Sequence, residues 1–529
     1  MVMDRLLASS ASAREAARRA TRNKRGERPR IRLGTDRAGM SAAARCESVT
    51  IGAVARPTRR IRSVVFDTAV GDLHEQNIML RGYELHGAAF VELSWARPAA
   101  SGARGSIELR VLTLGTVLGL SEPLRRSIAE RPLEARSVAE TERRERLLER
   151  AETRISVCFD DGFVEAGGRR SNFHEIELQL LEGAEEELWN VAAELAPRAN
   201  ARVLPMSEAE LALARATGAD PAPVKARRPK LAPDASLDEA IVAFLSACLD
   251  QFVANWPALQ YRAPEEAIHQ MRVALRRLRA GVSMLRRGVA SEALETASTR
   301  AKDISATLGE ARNLDVLLDM LVTGPLAQAN GEPSFYALLD AAERKRIEAH
   351  SAVAALVAAP QTTQFVIALR GALAARNWRA PPGADGRADF DPSAPGSAKD
   401  FAMRSLERLH RRALRASRDL ASLTPDQRHD ARIAFKKARY AAEFFESLFD
   451  AHTKARRYLR QTSALQDRLG AYNDLAVAAE LLRGLGESEA DLAPASAFAV
   501  GWCAHAREGG AVDWKKTEKS LKRLEAFWR

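Results

Sequence analysis

Two short segments of the chain carry a histidine and four basic residues at identical spacing. Each histidine is followed by basic side chains 3, 7, 8 and 10 positions later. The two sets are His269, Arg272, Arg276, Arg277 and Arg279, and His429, Arg432, Lys436, Lys437 and Arg439, with Tyr440 directly after the second. Guanidinium forks and ammonium groups bind phosphate oxygens well. The pattern therefore indicates a surface that binds anions.

The spacing predicts that these residues share one face of an amphipathic helix. At 100° per residue, His269, Arg272 and Arg276 lie within about 60° of one another, whereas Met271, Leu275 and Leu278 form a separate apolar stripe. No carboxylate occurs from residue 268 to residue 287. Like charges three and four positions apart repel by a few tenths of a kcal/mol per pair. A bound polyanion would relieve this repulsion, and the alternative is a solvated face of a basic protein.

A further predicted helix is also basic, and acceptor side chains occur farther along the chain. The basic helix carries Arg404, Arg408, His410 and Arg411. Asn473 and Asp474 offer acceptor oxygens, which either pair with the basic helices or cap helix ends.

The basic segments belong to an internal repeat within an all-helical region. Every basic residue of the first segment recurs 160 positions later, and a Leu-Gly motif at Leu308 recurs at Leu469. Strand signals are absent after residue 235, and a Pro- and Gly-rich break separates two halves. We predict a helical domain at 236–529, with halves 236–380 and 397–529.

The N-terminal part has a different texture. Alternating or β-branched segments at 62–65, 88–93, 107–112, 153–159 and 174–180 predict strands, and helices are predicted at 184–195 and 207–216. We predict an α+β domain at 59–216, a Pro-, Ala- and Arg-rich linker at 217–235, and a disordered basic extension at 1–58.

Composition limits the possible partners. The net charge is +11 and the isoelectric point about 9.7, which favours an acidic partner. The four cysteines lie far apart with no Cys-x-x-Cys spacing, so we predict no metal site and reduced thiols in the cytoplasm. No apolar stretch approaches the roughly 20 residues that span a bilayer.

The helical half resembles the CHAD family, the conserved histidine α-helical domain. The pattern H-x-x-R-x-x-x-[RK]-[RK]-x-R, the segment Leu308–Val316 and the later K-K-x-R-Y carry this resemblance over about 290 residues. It implies two pseudo-symmetric four-helix bundles around a basic central pore. It also implies binding of inorganic polyphosphate through the histidine and basic residues named above, and association with polyphosphate granules.

The N-terminal domain resembles the CYTH family, an antiparallel β-barrel called the triphosphate tunnel. The resemblance rests on residues 65–68, 79–81, 159–162 and 174–183. It implies tunnel positions at Arg81, Glu175 and Glu177, where the carboxylates at i and i+2 share one strand face. The family's opening Glu-x-Glu-x-Lys strand is not visible before Phe66, and Trp95 stands where a lysine is usual. We therefore predict a degenerate tunnel, with Mg²⁺ or Mn²⁺ as a cofactor only if activity survives.

Polyphosphate binding is the function that the sequence favours. One alternative is a metal-dependent triphosphatase or nucleotidyl cyclase in the CYTH-like domain. A second is nucleic-acid binding by the same basic faces, which ranks lower because aromatic residues that could stack on bases are scarce there. The sequence does not identify a protein partner.

Overall fold

The computed structural model describes residues 28–75, 78–85, 88–96, 104–110, 133–218, 220–261, 264–328, 332–378, 391–420, 422–508, 514–521 and 523–529. The chain divides into two compact units. One comprises the chain up to Ala222 together with Gln260–Arg262 and Ala358–Gly371, and the other comprises the remainder.

The first unit is built on one antiparallel sheet of ten strands. The strands are β1 (Arg30–Gly34), β2 (Ala53–Ala55), β3 (Arg59–Thr68), β4 (Ile78–Leu85), β5 (Ala88–Ala96), β6 (Arg104–Arg110), β7 (Leu133–Arg150), β8 (Thr153–Ala166), β9 (Arg169–Glu182) and β10 (Arg202–Val203). Their order is β10-β1-β9-β8-β7-β3-β4-β5-β6, and β2 pairs with β7. Within the described ranges no pairing joins β10 to β6, so closure of the sheet into a tunnel stays a prediction.

Four short helices accompany the sheet. They are α1 (Arg37–Ala43), α2 (Asp72–Glu75), α3 (Glu185–Arg198) and α4 (Glu208–Thr217). The apolar face of α3, with Leu188, Val191 and Leu195 buried, packs against β9. Ser207 begins α4 with a capping box to Glu210.

The predicted disordered extension is wrong for residues 30–55. Strand β1 lies between β9 and β10, with Ile31 opposite Leu178 and Leu33 opposite Ile176. Five alternating residues surrounded by arginines carry too weak a periodic signal to be recognised without these partners. Residues 1–27 lie outside the described part of the chain. The predicted strands are confirmed within the described residues. Residues 111 and 112, the end of the strand predicted at 107–112, lie outside the described part of the chain.

Strand β7 was not assigned any structure from the sequence. Its 18 residues are dense in Arg and Glu, which gives no clear alternation of apolar side chains. Residues 137–150 pair with β8, and residues 133–143 pair with β3. Some of its charged residues have partners on these neighbours: Arg143 donates two hydrogen bonds to Asp160, at 2.7 and 2.6 Å, and Glu145 pairs with Arg59.

The second unit is helical, and its two halves repeat. The helices of this region are α5 (Leu237–Ala254), α6 (Pro264–Leu285), α7 (Glu292–Thr323), α8 (Pro325–Gln328), α9 (Pro333–Ala358), α10 (Pro360–Ala375), α11 (Ser397–Ala416), α12 (Pro425–Phe445), α13 (His452–Ser488), α14 (Ala493–Glu508) and α15 (Trp514–Leu521), and most of α10 belongs to the first unit. Long helices α5, α6, α7 and α9 recur in order as α11 to α14. Corresponding helices contact each other across the halves: α5 with α11, α6 with α12, and α7 with α13.

The burial pattern gives the register of the repeat. Eight of the nine buried residues of α5 have a buried counterpart in α11 161 positions later, and the exception is Gln251, opposite the exposed Arg412. Helices α6 and α12 correspond with a shift of 160, as the basic residues predict. Both α5 and α12 begin with capping boxes, at Ser236 and Thr424.

The predicted linker and the helical boundary need two corrections. From Pro223 onwards the linker belongs to the helical unit, where Val224 and Asn255 exchange hydrogen bonds of 2.9 Å. Residues 358–371, most of which lie in α10, belong to the sheet unit, where the Thr363 hydroxyl accepts a hydrogen bond from Val203 N. Such long-range contacts leave no mark on local composition.

No single helix among the described residues is long and apolar enough to cross a membrane. Helices α9 and α10 reach that length and composition only when joined across a bend of 52°.

Candidate anion-binding site

The cations that the sequence places on α6 and α12 approach one another where these helices pack together. Arg272 and Arg276 come from α6, Arg432 and Lys436 come from α12, and Arg312 comes from α7. We call these five residues the central basic cluster. All five side chains are half-buried. Arg312 lies in the segment Leu308–Val316 and is not among the binding residues predicted from the sequence.

Burial and mutual repulsion lower the pKa values of Arg272, Arg432 and Lys436. Burial, with the charges of Arg276 and Arg312, lowers the pKa of Arg272 to about 10. Burial, with Arg432 and Arg276 next in effect, lowers the pKa of Lys436 to about 7. These shifts show that the cations are crowded and desolvated with little compensation.

One carboxylate opposes this charge. Asp474 on α13 acts electrostatically on Arg272, Arg432 and Lys436, and it is exposed. Arg272 Nη1 also lies 3.5 Å from the carbonyl oxygen of Gly309. The buried Nε atoms of Arg276 and Arg432 have no hydrogen-bond partner among the described residues. Buried donors are normally paired, so the cluster has donors available to an anionic ligand.

The two matched histidines have different environments. His269 lies next to the cluster, where burial, followed by the charge of Arg312, lowers its pKa. His429 is exposed, and its Nδ1 lies 3.0 Å from Oδ1 of Asn473, which can only accept a hydrogen bond. Asn473 thus pairs with a basic helix, one of the two roles that the sequence allowed for it.

A second group of cations surrounds a cavity of about 390 Å³ in the same unit. Its polar lining residues include Arg287, Arg408, Arg412, Arg415, Lys437 and Tyr440, from α6, α11 and α12 or the residues that follow them. We call this the side cavity. Arg408, Lys437 and Tyr440 are among the residues predicted to bind an anion. Arg412 and Arg415 belong to the same predicted basic helix as Arg408, and Arg287 to that of His269. Arg279 acts electrostatically on Lys437 from α6.

Several predicted site residues have partners within the protein. Arg277 is 1% exposed and lies against Glu443, with Nε 3.7 Å from the carboxylate. Its Nη atoms donate to Gln251 at 3.3 Å and to the carbonyl oxygen of Arg227 at 3.1 Å. Arg439 pairs with Glu443 as well, at 3.3 Å. We therefore leave Arg277 out of the proposed site.

Helix α11 contributes less than the sequence suggests. His410 is 4% exposed because its register position is that of the buried Leu249 in α5, and its Nδ1 lies 3.3 Å from the Tyr458 hydroxyl. Arg411 pairs with Glu407 at 2.6 Å. Arg404 is half-buried on the same helix. Neither His410 nor Arg411 remains a candidate, since each already has a protein partner.

The tunnel residues predicted in the sheet unit meet an arginine from β1. Arg32 lies 3.5 Å from Glu175, 3.0 Å from Glu177 and 3.2 Å from Glu210. Burial raises the pKa of Glu175 to about 7, although Arg32 and the backbone N–H of Glu208 oppose the shift. Arg81 is half-buried on β4. The sequence did not reveal Arg32 because β1 was not recognised.

This carboxylate group does not fit a divalent cation. Mg²⁺ and Mn²⁺ need carboxylate oxygens that are free to coordinate, whereas Glu175, Glu177 and Glu210 all face one guanidinium. Within the described part of the chain, no group of three or more His, Cys, Asp or Glu residues could hold a metal ion.

Comparison with known proteins identifies the helical region. The CHAD domain family model matches residues 243–483. The CHAD domain of the plant Ricinus communis is 28% identical, with a TM-score of 0.49, and the match covers 58% of this chain and 98% of that one. PptA from Streptomyces chartreusis is 17% identical with a TM-score of 0.38, covering 55% and 99%. No curated protein sequence matches the chain.

The N-terminal region has a distant likeness to a solved structure described as an adenylate cyclase. A putative adenylate cyclase from Bacillus halodurans is 17% identical with a TM-score of 0.23, and the match covers 34% of this chain and 94% of that one.

Proposed function

The chain carries a CHAD domain, and we propose that this domain binds inorganic polyphosphate through the central basic cluster. The central basic cluster carries the proposal because two repeated halves contribute cations to one place. Arg272, Arg276 and Arg312 come from the first half, and Arg432 and Lys436 from the second. The resemblance to the CHAD family supports the same ligand.

A linear polymer of phosphates suits this arrangement. The five cations are half-buried, and the exposed carboxylate of Asp474 acts electrostatically on three of them. A ligand that offers closely spaced negative charge would offset both the repulsion and the desolvation of the cluster. Each arginine can contact two oxygens of one phosphate group at once, which favours a phosphate over an anion that has a single acceptor atom. Association with polyphosphate granules and a cytoplasmic location stay predictions.

The decisive experiment removes the charge without removing the side-chain bulk. Arg272, Arg276, Arg432 and Lys436 are changed together to Gln, and binding of fluorescent long-chain polyphosphate is titrated at several salt concentrations. We expect affinity to fall by roughly 100-fold or more, and the dependence of log affinity on log salt to flatten by about three units.

A matched control separates this site from general positive charge. Lys302, Lys345, Lys399 and Arg418 are exposed cations of the helical unit, and changing all four to Gln removes the same charge. This control should lose only a small fraction of the affinity. Equal losses in both variants, or full binding by the cluster variant, would disprove the proposal. Circular dichroism checks that both variants are folded.

Neither alternative function gains support from a specific observation. Arg32 faces the carboxylates that a triphosphatase would need for its metal. Tyr440, which acts electrostatically on Arg432, is buried, so its ring offers little surface on which bases could stack. Competition of RNA with polyphosphate tests the nucleic-acid alternative directly: displacement by RNA at equal phosphate concentration would revive it.

A further inference from the structure

We propose that the side cavity is a second anion site, which binds a compact oligophosphate group, either free or carried by a nucleotide. The proposal goes beyond polyphosphate binding by the central basic cluster and does not depend on it. The cavity has about 390 Å³ of space, within the range of small-ligand sites. A long polymer could place only a short piece of its length there.

The charge of the cavity is the first observation. Arg287, Arg408, Arg412, Arg415 and Lys437 all line it, and none of the described lining residues is a carboxylate. Burial, followed by the charges of Arg412, Arg286 and Arg279, lowers the pKa of Lys437. Three of these cations, Arg287, Arg412 and Lys437, therefore have no carboxylate in the described cavity wall to offset their charge. A phosphate group would provide the missing negative charge.

The counterpart of the cavity in the first half is the second observation. Lys437 corresponds to Arg277, and Ser283, which lines the cavity, corresponds to Glu443. In the first half, Arg277 is paired with Glu443 and hydrogen-bonded to Gln251. Gln251 corresponds to Arg412 in the buried register of α5 and α11. The charge of Arg277 is therefore neutralised by Glu443, whereas Lys437, at the corresponding position of the second half, has Ser283 in place of that carboxylate.

The chain itself also covers the counterpart position. The carbonyl oxygen of Arg227 accepts a hydrogen bond from Arg277. Three residues earlier, Val224 exchanges two hydrogen bonds with the side chain of Asn255. Arg228 binds Glu446 at 2.8 Å, and Leu231 N donates to Ser447 at 3.0 Å. The segment 224–231 thus acts as a built-in occupant in the first half. The second half keeps an open cavity at the related position, which is what a ligand site requires.

The remaining walls favour a compact ligand with a phosphate group at its polar side. Phe244, Met284 and Leu409 are buried apolar residues that form part of the lining, and Tyr440 adds a hydroxyl and a ring. Gly281 also belongs to the wall, where a Cβ atom would lie 2.4 Å from the Phe244 ring. The glycine therefore permits the close packing that shapes this wall.

The test uses two variants with equal loss of charge. The cavity variant is Arg412→Ala with Arg415→Ala, both exposed residues, and the cluster variant is Arg272→Ala with Arg432→Ala. Binding of tripolyphosphate, ATP and long-chain polyphosphate to the full chain is measured by calorimetry at about 150 mM salt, where long-range charge effects are screened. Lys399→Ala with Arg418→Ala serves as the control for non-specific charge.

We expect the cavity variant to bind tripolyphosphate, ATP or both on the order of tenfold more weakly, while its affinity for long-chain polyphosphate changes by less than about threefold. The cluster variant should show the reverse. Binding of tripolyphosphate alone would identify a free oligophosphate as the ligand, and binding of ATP as well would extend the class to nucleotides. The proposal is overturned if neither short probe binds, if the control loses as much, or if both variants lose all probes equally. If the unmodified protein binds the short probes but not long-chain polyphosphate, the proposed function is wrong and the side-cavity proposal is retained.

Discussion

Three carboxylates of the sheet unit and the five cations of the central basic cluster are both crowded and at least half-buried, but among the described residues only the carboxylates form ion pairs. Arg32 lies within 3.5 Å of Glu175, Glu177 and Glu210. The exposed Asp474 acts electrostatically on three of the five cations of the central basic cluster. The comparison teaches that a concentration of charged residues does not by itself indicate a ligand site. What distinguishes the two regions is whether the fold supplies the opposite charge.

The same distinction holds between residues of one helix. Arg276 and Arg277 are adjacent on α6, and both belong to the repeated basic pattern. The Nε atom of each lacks a hydrogen-bond partner among the described residues, but Arg277 lies against Glu443 and donates through its Nη atoms to Gln251 and to the carbonyl oxygen of Arg227. Compensation is therefore a property of the individual side chain.

Removing a compensated cation from the helical unit should destabilise the fold. In Arg277→Met, Glu443 keeps only Arg439 as a partner, and we expect the free energy of unfolding to fall by about 3 kcal/mol. For the counterpart Lys437→Met, the free energy of unfolding should stay within about 1 kcal/mol of that of the unmodified protein, because this change leaves no carboxylate of the described cavity wall without a partner. Urea unfolding followed by circular dichroism measures both. Similar losses in the two variants would contradict the rule.

Removing the compensating cation of the sheet unit should have a somewhat smaller effect. Arg32→Met leaves three carboxylates facing one another, and because they are partly solvated we expect a loss of about 2 kcal/mol at pH 8. The loss should be smaller at pH 5, where Glu175 is protonated, since its pKa in the folded protein is about 7.

The controls for Arg32 come from the same network. Arg30→Met alters an exposed residue of the same strand and should change stability by less than about 0.5 kcal/mol. Adding Glu175→Gln to Arg32→Met should recover part of the loss at pH 8. A loss that is independent of pH would show that Arg32 acts through packing instead of charge.

Removing an uncompensated cation should stabilise the fold. Lys436→Met is expected to raise the free energy of unfolding by roughly 1 kcal/mol at pH 6. The pKa of Lys436 is lowered from 10.5 to about 7 in the folded protein, so the unfolded chain binds more protons between these values. The stability of the unmodified protein therefore rises with pH through this window. The gain from Lys436→Met should be complete below pH 7 and shrink above it. A destabilised variant at pH 6 would show that Lys436 is compensated after all.

The smallest expected effect is an exchange of protons on binding. At pH 8 Lys436 is mostly neutral, and the negative charge of polyphosphate should raise its pKa, so that binding takes up as much as about one proton. Calorimetry in two buffers of different ionisation enthalpy measures this uptake. The Lys436→Arg variant stays charged at pH 8, so its binding of polyphosphate should take up far fewer protons. Equal uptake by both proteins would assign the proton to another group, such as His269.

Much of the helical unit was predictable from the sequence alone. The repeat, the amphipathic faces and the positions of Arg272, Arg276, Arg432 and Lys436 follow from local spacing, because helix geometry places residues three and four apart on one face. A distance of 160 residues between matching segments similarly indicates that two halves share one plan.

Only the tertiary structure decided which charged residues have partners. Arg277 differs from Arg276 because Glu443 and the carbonyl oxygen of Arg227 reach it from distant parts of the chain. Strand β1, and with it the role of Arg32, depends on pairing with β9 about 145 residues later. Local spacing determines the face on which a side chain lies, but the opposite charge comes from wherever the fold brings another segment.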